Sequence, residues 1–259
     1  MTRKPYDSDL TDSQWEQLRE FIPEPKPGPQ EVKYDRREVV NAFLYQGRTG
    51  CQWRYLPHDF PPWETVAKYY YLWKREGVFE HINDELRARV RKAEGRNEEA
   101  SLGIIDSQSV KTTEVGGPKG FDAGKKVKGR KRHVLVDILG LLIAVVVTAA
   151  NVQDRDGVEP LLRAGKEMSP RLENVLVDGA YSGEVVRRAS LRTGVNVTMV
   201  KRPDVKGFVV VPKRWIVERS FGWMNRDRRM SKDYERTISS SEAWIHLSFA
   251  RLMARRLAT

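Results

Sequence analysis

Three acidic residues occupy positions from which their carboxylates could hold divalent metal ions. Asp106 and Asp178 each end a short apolar run typical of a buried strand, and Glu218 lies in the amphipathic segment 214–224. A buried charge without a partner is costly, so an acid at a strand end is tolerated only where it faces a cleft. Two such Asp residues and a helical Glu on a basic chain indicate Mg²⁺ ions held against phosphate groups.

Each acid could also have a purely structural role. Asp106 could cap the turn that follows it, and Asp178 precedes Gly179 as in ordinary tight turns. Glu218 could pair with Arg214, which lies one helical turn earlier. All three acids occur together in the basic half of the chain, however, and this combination favours a catalytic interpretation over three separate structural ones.

The net charge of +11 is distributed unevenly along the 259 residues. Residues 1–100 carry 17 Lys and Arg against 18 Asp and Glu, whereas residues 101–259 carry 29 against 17. The whole positive excess therefore lies in the half that contains the three acids. A metal site within a cationic surface predicts a polyanionic substrate, and nucleic acid is the first candidate.

Composition excludes several other classes of protein. A hydrophobic content of 40% supports a packed core rather than global disorder. The single cysteine, Cys51, excludes an internal disulfide, and the 4 scattered histidines leave no zinc-ligand pattern. The longest apolar stretch, 139–150, is too short to span a bilayer, and the polar start shows no signal peptide. We therefore expect a soluble cytoplasmic protein.

Residues 1–98 are predicted to form an all-α N-terminal domain. Thr11 and Gln14 have the spacing of a capping box, and Asp35 can cap a second helix. A third helix is predicted after Pro62, and a fourth over 78–92.

Short helices joined by tight turns could form a helix-turn-helix-like reader of DNA ends. Its exposed residues would be Lys68, Tyr69, Lys74 and Arg75. The alternative is a plain helical bundle that supports or dimerises an enzyme. The absence of a positive excess in this half weighs against the reader, and both interpretations stay open.

Residues 99–259 are predicted to form an α/β domain. The predicted strands are 102–106, 132–138, 143–147, a strand ending at Asp178, and 196–200. The predicted helices are 158–167, 184–192, the segment around Glu218, and a final helix that opens with Ser239 and Glu242 as a capping box. Three strands in series, followed by alternating helices and strands, predict a mixed five-stranded sheet flanked by helices.

The segment 111–132 is rich in glycine and in positive charge. Its basic residues are Lys111, Lys119, Lys125, Lys126, Lys128, Arg130, Lys131 and Arg132, against the two acids Glu114 and Asp122. We predict a flexible loop between two strands that contacts DNA phosphates through all of these cations except Lys119. A solvated, mobile hairpin is the alternative.

Several local motifs are specific when taken together. In the first half they are YDSDLTDSQW (6–15), RTGCQWRYLP (48–57) and FPPW (60–63); in the second half they are IDSQSVK (105–111), VDGAY (177–181) and RWIVER (214–219). With the order of the predicted elements, they make the chain resemble, nearly end to end, bacterial insertion-sequence transposases of the group named after insertion sequence five.

The resemblance implies a ribonuclease H-like fold in which Asp106, Asp178 and Glu218 coordinate two Mg²⁺ ions, with Mn²⁺ able to substitute. One ion would activate water or a DNA 3′-hydroxyl, and the other would stabilise the leaving oxygen. The implied activity is hydrolysis at terminal inverted repeats of double-stranded DNA and joining of the freed ends to target DNA. A homo-oligomer would act in the bacterial cytoplasm, on the nucleoid when bound to DNA.

Two other functions stay open at this point. A ribonuclease H-like nuclease would cut DNA without strand transfer. A catalytically silent, transposase-derived DNA-binding protein would bind without cutting, although the intact acid triad argues against it.

The segment around Glu218 matches the family's signature only in part. The signature places Tyr, Arg, Glu and Lys at fixed spacing, and only Arg214 and Glu218 match it here; Asn225 stands at the Lys position, with Arg226 next to it. The resemblance suggests that Arg214 contacts the scissile phosphate and that Arg226 is a candidate substitute for the lysine. Gly222 shares a helical stripe with Glu218, either to leave space for metal or DNA or to allow close helix packing.

Tyr181 follows Asp178 closely and could be imagined as a covalent nucleophile of the tyrosine-recombinase kind. That chemistry requires several Arg and His residues around the tyrosine and no acidic triad. We therefore predict a packing or substrate-contact role for Tyr181.

Overall fold

The computed structural model describes residues 3–24, 34–200 and 215–259. The helices in chain order are α1 (Asp12–Leu18), α2 (Arg36–Thr49), α3 (Trp63–Arg75), α4 (Val78–Ala93), α5 (Val158–Met168), α6 (Glu184–Thr193), α7 (Trp215–Met224) and α8 (Ile238–Leu257). The strands are β1 (Leu102–Lys111), β2 (Gly120–Asp122), β3 (Val127–Asp137), β4 (Leu142–Ala149), β5 (Asn174–Val177) and β6 (Asn196–Met199). As predicted, helices occupy the first part of the chain and strands alternate with helices in the second.

Local sequence signals start the first helices. The Thr11 hydroxyl accepts the Gln14 amide at 3.2 Å, and the Gln14 side chain accepts the Thr11 amide at 3.3 Å, which confirms the capping box. The Asp35 carboxylate caps α2 by accepting the Arg37 amide at 2.8 Å. The third helix begins directly after Pro62, as predicted.

The strands form one mixed sheet. β3 pairs antiparallel with β1 on one side and with β4 and β2 on the other. β1 continues into parallel pairs with β5 and then β6. This is the predicted mixed sheet flanked by helices, with the three-residue β2 as a sixth strand that the sequence did not indicate.

The predicted flexible loop over 111–132 is wrong where strands replace it, at Lys111, at Gly120–Asp122 and from Val127 onward. β1 extends to Lys111, and β3 starts at Val127, so the two strands pair where a loop was expected. A side chain at Gly129 would place its Cβ 2.0 Å from the Val110 carbonyl oxygen, so only glycine allows this approach. Gly129, one of the glycines that suggested mobility, therefore serves close strand pairing instead.

Helices cover both faces of the sheet. α5 and α6 pack with Ile105 and Leu135 on one face, and α7 and α8 pack with Ile104 and Val136 on the other. None of the helices in the described ranges is long and apolar enough to cross a membrane.

The helix α8 connects the two predicted domains. It contacts α1, α2, α3, α4 and α7 as well as β4. Trp244 of α8 is 2% exposed and stacks on Tyr70 of α3 with ring centroids 4.9 Å apart, while the Tyr70 hydroxyl donates to the Ser240 carbonyl at 3.0 Å. The division at residues 98 and 99 stays a prediction, because the described core is continuous across it.

The predicted cap of the final helix is wrong. Thr237 caps α8 by accepting the Ser240 amide at 3.2 Å. Glu242 instead accepts the Val147 amide of β4 at 2.9 Å. A tertiary contact therefore takes the acid that the local pattern assigned to a capping box.

We expect the Glu242 contact to make stability depend on pH. Burial raises the pKa of Glu242 from 4.5 to about 7, assisted by the nearby Glu80 and opposed by the Val147 amide. The folded state then binds the proton more tightly, so this contribution is complete below pH 4.5 and is lost as pH rises through 7. Across that rise Glu242→Gln should gain about 3 kcal/mol of unfolding free energy relative to wild type, measured by urea denaturation.

The exposed helical acid of α5 provides a matched control, Glu167→Gln, which should follow the wild type across this pH range. A constant difference between Glu242→Gln and wild type at every pH would contradict the assignment to Glu242.

Candidate active site

The parallel pairing of β1 with β5 brings two of the three acids together. Leu102 lies opposite Asn174, and Ile104 lies opposite Leu176. The pairing ends there, and Asp106 and Asp178 each lie two residues further along the same two chain segments. Residues two apart on a strand point to the same face, so this register turns both carboxylates to one face of the sheet beside the end of β5.

Both Asp residues also organise the backbone that follows them. The Asp106 carboxylate accepts the Ser107 amide at 2.7 Å, and the Asp178 carboxylate accepts the Ala180 amide at 2.9 Å. Each residue is half-buried. The turn-forming role considered for Asp178 is therefore real, and it holds the carboxyl group at the end of the strand rather than excluding a chemical role.

Glu218 is carried by α7 on the same face of the sheet as Asp106. α7 contacts β1 and β3, and it buries Ile216, Val217 and Ser220. The Ser220 hydroxyl donates to the Gly140 carbonyl at 2.8 Å, which anchors the helix to the turn between β3 and β4. Glu218 itself is exposed in the first turn of α7.

The three carboxylates do not form a finished ligand set in this conformation. Within the described residues, no three side chains of His, Cys, Asp or Glu come together closely enough to hold a metal ion. The donor chemistry nevertheless suits a hard divalent cation, because carboxylate oxygens are the ligands that Mg²⁺ and Mn²⁺ accept. The structure thus brings Asp106 and Asp178 together and places Glu218 on the same side of the sheet.

Gly222 opens space one turn beyond Glu218. A Cβ added to Gly222 would meet nothing within 4 Å, which excludes close helix packing as the reason for this glycine among the described residues. Arg214, predicted to contact the scissile phosphate from the same stripe, lies outside the described residues.

Tyr181 lies near Asp106 and Asp178 and is 2% exposed. Burial raises the pKa of Tyr181 well above 10, and the carboxylates of Asp106, Asp154 and Asp178 raise it further. A buried, neutral phenol packed among Ile105 and Val177 fits the predicted packing role and does not suit a nucleophile.

Asp154 is an acid near this site that the sequence did not indicate. It follows Gln153 in a polar stretch with no strand or helix pattern, so no local signal singles it out. Burial raises the pKa of Asp154, but hydrogen bonds from Lys131 and Ser107 and the charge of Lys125 outweigh it and hold that pKa below its usual value. Lys131 approaches Asp154 at 2.7 Å.

Three of the predicted DNA contacts are corrected by the structure. Arg130, Lys131 and Arg132 are 0%, 4% and 1% exposed, because they lie in β3 between its two neighbouring strands. Arg130 pairs with Asp233 at 3.0 Å, and Arg132 donates to the Met230 carbonyl at 2.8 Å. Arg130 and Arg132 hold the segment before α8 against the sheet, whereas Lys131 pairs with Asp154. None of the three is presented to a DNA backbone.

The other predicted cations differ in exposure. Lys111, Lys126, Lys128 and Arg226 are exposed. The side chain of Lys125 is 41% exposed while its amino group donates to the Ser107 hydroxyl at 3.0 Å. A cationic surface therefore remains beside β1 and β3, although it is smaller than the sequence predicted.

The helix α3 presents only part of the predicted reading face. Lys74 donates to the Ser240 hydroxyl at 3.0 Å, and Tyr69 packs half-buried against Trp73. Lys68 and Arg75 are exposed. The helices of the first half therefore serve as a support for α8, as in the helical-bundle interpretation, and the DNA-reading role stays a prediction.

Comparisons with known proteins agree with this architecture. Residues 97–253 match the family model "Transposase DDE domain", and residues 10–83 match "Putative transposase of IS4/5 family". The "Putative transposase for insertion sequence element IS402" of Burkholderia cepacia is 32% identical over 158 residues, which cover 58% of this chain and 70% of the relative. The "Uncharacterized protein y4sN" of Sinorhizobium fredii is 33% identical over 73 residues, covering 28% and 58%.

Among solved structures, the crystal structure of the Mos1 mariner paired end complex with Mn has a TM-score of 0.32 and 11% identity, covering 95% of this chain and 83% of that one. A similarity this low supports no conclusion. DDE transposases are DNA-cutting enzymes that use divalent metal ions. The family models and the B. cepacia relative show that this chain belongs to that family, among the transposases of insertion sequences.

Proposed function

We propose that the chain cuts double-stranded DNA at the terminal inverted repeats of an insertion sequence and joins the freed 3′-hydroxyls to target DNA. Asp106, Asp178 and Glu218 would hold two Mg²⁺ ions for both steps, with Mn²⁺ able to substitute. The observation that supports the proposal is the parallel register of β1 with β5, because Asp106 and Asp178 each lie two residues beyond its last pair. Bound metal supplies activation of the attacking hydroxyl and stabilisation of the leaving oxygen.

The protein's own contribution is to position the three carboxylates and to contact the DNA phosphates. β1 and β5 fix two acids through backbone pairing, and the Ser107 and Ala180 amides orient their oxygens. The exposed side chain of Glu218 can reach toward them from α7, and the open space at Gly222 leaves room beside it for DNA. Lys111, Lys125, Lys126, Lys128 and Arg226, with Arg214 on sequence grounds, would contact phosphates.

Two element ends must be held together for joining, so we propose that the protein acts as a homo-oligomer on DNA. The reaction would take place in the bacterial cytoplasm, with the protein on the nucleoid when bound. The exposed Lys68 and Arg75 of α3 support a contribution of the N-terminal helices to end binding.

Removing one oxygen donor from the Asp pair should abolish catalysis but not DNA binding. We expect Asp178→Asn to reduce strand cleavage and joining at least ~10³-fold on labelled duplex carrying the element's ends, because an amide is a much poorer ligand for Mg²⁺. Mn²⁺ affinity, measured by electron paramagnetic resonance, should fall at least ~10-fold with it.

The matched control is Glu173→Gln, which changes an exposed acid directly before the opposite end of β5. It should leave both cleavage and Mn²⁺ binding at wild-type levels. Cleavage that survives Asp178→Asn would show that the catalytic acids lie elsewhere.

Gly222→Ala separates helix stability from access to the site. Alanine should stabilise α7 by up to about 1 kcal/mol, since glycine is the poorer helix former and the added Cβ meets no atom within 4 Å. If the space serves DNA, cleavage should fall while thermal stability rises. Raised stability with unchanged cleavage would contradict the assigned role of the space.

A further inference from the structure

An arginine-lined cleft lies at the far end of α7 from Glu218. It has a volume of about 550 Å³ and lies between the end of α2, the turn after α7, and α8. Arg48, Arg226, Arg251 and Arg255 line it, beside Trp223. These arginines come from three separate parts of the chain, so the folded structure alone assembles them. We refer to these four arginines and the space between them as the arginine cleft.

The acid within the arginine cleft is already neutralised. Asp227 is 8% exposed, and its two carboxylate oxygens accept from Arg251 at 2.8 Å and from the Ser248 hydroxyl at 2.8 Å. Arg226 and Arg255 are exposed and make no ion pair with any described residue. The cleft therefore holds an excess of positive charge that the protein does not compensate.

The arginines are also close enough to repel one another. Burial lowers the pKa of Arg251, Asp227 opposes that effect, and the charges of Arg255 and Arg48 lower the pKa further. Arg48 is held in place by a hydrogen bond from its guanidinium to the Arg226 carbonyl. Like charges fixed at short range favour the binding of an anion that relieves the repulsion.

A second cleft adjoins the arginine cleft. It has a volume of about 770 Å³ and shares Arg48, Arg251 and Arg255. Its other charged residues are Lys4, Asp7 and Asp59, so the positive excess is confined to the shared arginines. The open space on both sides of these arginines suits an extended polyanion better than a single phosphate.

We propose that the arginine cleft binds the sugar-phosphate backbone of DNA on one side of the cleavage point. This inference rests on the proposed function, because the DNA bound in the cleft would include the strand that Glu218 helps to cut. Met224, two residues before Arg226, lies six residues after Glu218 on α7, about 9 Å along the helix axis, so the arginine cleft is within a few nucleotides of the candidate site. Guanidinium groups suit this ligand because each can bind a phosphate through two parallel hydrogen bonds.

The test is the salt dependence of DNA binding without divalent metal. Fluorescence anisotropy of the full chain with a duplex carrying the element's ends gives log K against log salt concentration. We expect the slope to decrease by about 1 for Arg255→Gln and by about 2 for the Arg48→Gln, Arg255→Gln double variant, because each substitution leaves one phosphate without its arginine. Melting temperatures within a few degrees of wild type would show that both variants fold.

The control is a double variant of equal charge change, Arg188→Gln with Arg192→Gln, on the opposite face of the sheet in α6. Glu184 keeps Arg187 and Glu159 keeps Arg163, so no acid is left unpaired. A salt slope equal to that of the wild type in this control, together with the smaller slopes expected for the two cleft variants, would support DNA binding in the arginine cleft.

Three outcomes would overturn the proposal. Equal salt slopes for wild type and both cleft variants would rule out DNA binding by the arginine cleft while leaving the proposed function intact. Binding of inorganic phosphate that Arg255→Gln abolishes, with the salt slope for DNA unchanged in that variant, would replace the DNA backbone by a single phosphate ligand. A wild-type chain that binds no DNA would remove both the cleft and the proposed function, a result independent of the Asp178→Asn experiment.

Discussion

The parallel pairing of β1 with β5 is the constraint on which the site depends. It directs Asp106 and Asp178, each two residues beyond the last pair, to one face of the sheet through backbone hydrogen bonds alone. A shift of one residue in this register would turn one of the two acids to the opposite face of the sheet. Gly129 supports the same arrangement from the other side of β1, because its missing side chain lets β3 approach Val110.

Much of the positive charge in the second half is structural. Arg130 and Asp233 form an ion pair in which both side chains are almost fully buried, and Lys131 lies between Asp122 and Asp154. Hydrogen bonds and Lys131 lower the pKa of Asp122 to about 2 against the effect of burial. Leaving one member of such a pair without its partner is strongly destabilising, so these cations cannot be exchanged freely for DNA contacts.

Local and non-local signals differ in what the sequence could predict. Helix starts at Thr11 and Asp35 depend on neighbouring residues, and both were predicted correctly. The positions of Arg130 and Glu242 depend on partners about a hundred residues away, so composition alone misassigned them. Asp178 directly follows its strand as predicted, whereas Asp106 lies in the middle of β1, because non-local pairing with β3 extends that strand to Lys111. Asp154 carries no pattern of its own.

The arginine cleft could not be predicted from local sequence patterns either. Its members stand at positions 48, 226, 251 and 255, too far apart in the chain to form a charge run. Most of the cations predicted to contact DNA lie in 111–132, where glycine and lysine are clustered. The folded chain gathers Arg226, also predicted, with three further arginines from α2 and α8. Charge density along a sequence is therefore a poor guide to charge density on a surface.

The position of α8 has a consequence for synthesis. Trp244 and its neighbours complete a core whose other members, such as Phe43 and Tyr70, leave the ribosome long before them. Domains generally fold as units from the N-terminus during synthesis. Here the aromatic surface of the nascent N-terminal helices stays exposed until α8 has been translated. Premature termination before α8 should yield an aggregation-prone fragment for chaperones and proteases, not a shortened protein that still occupies DNA ends.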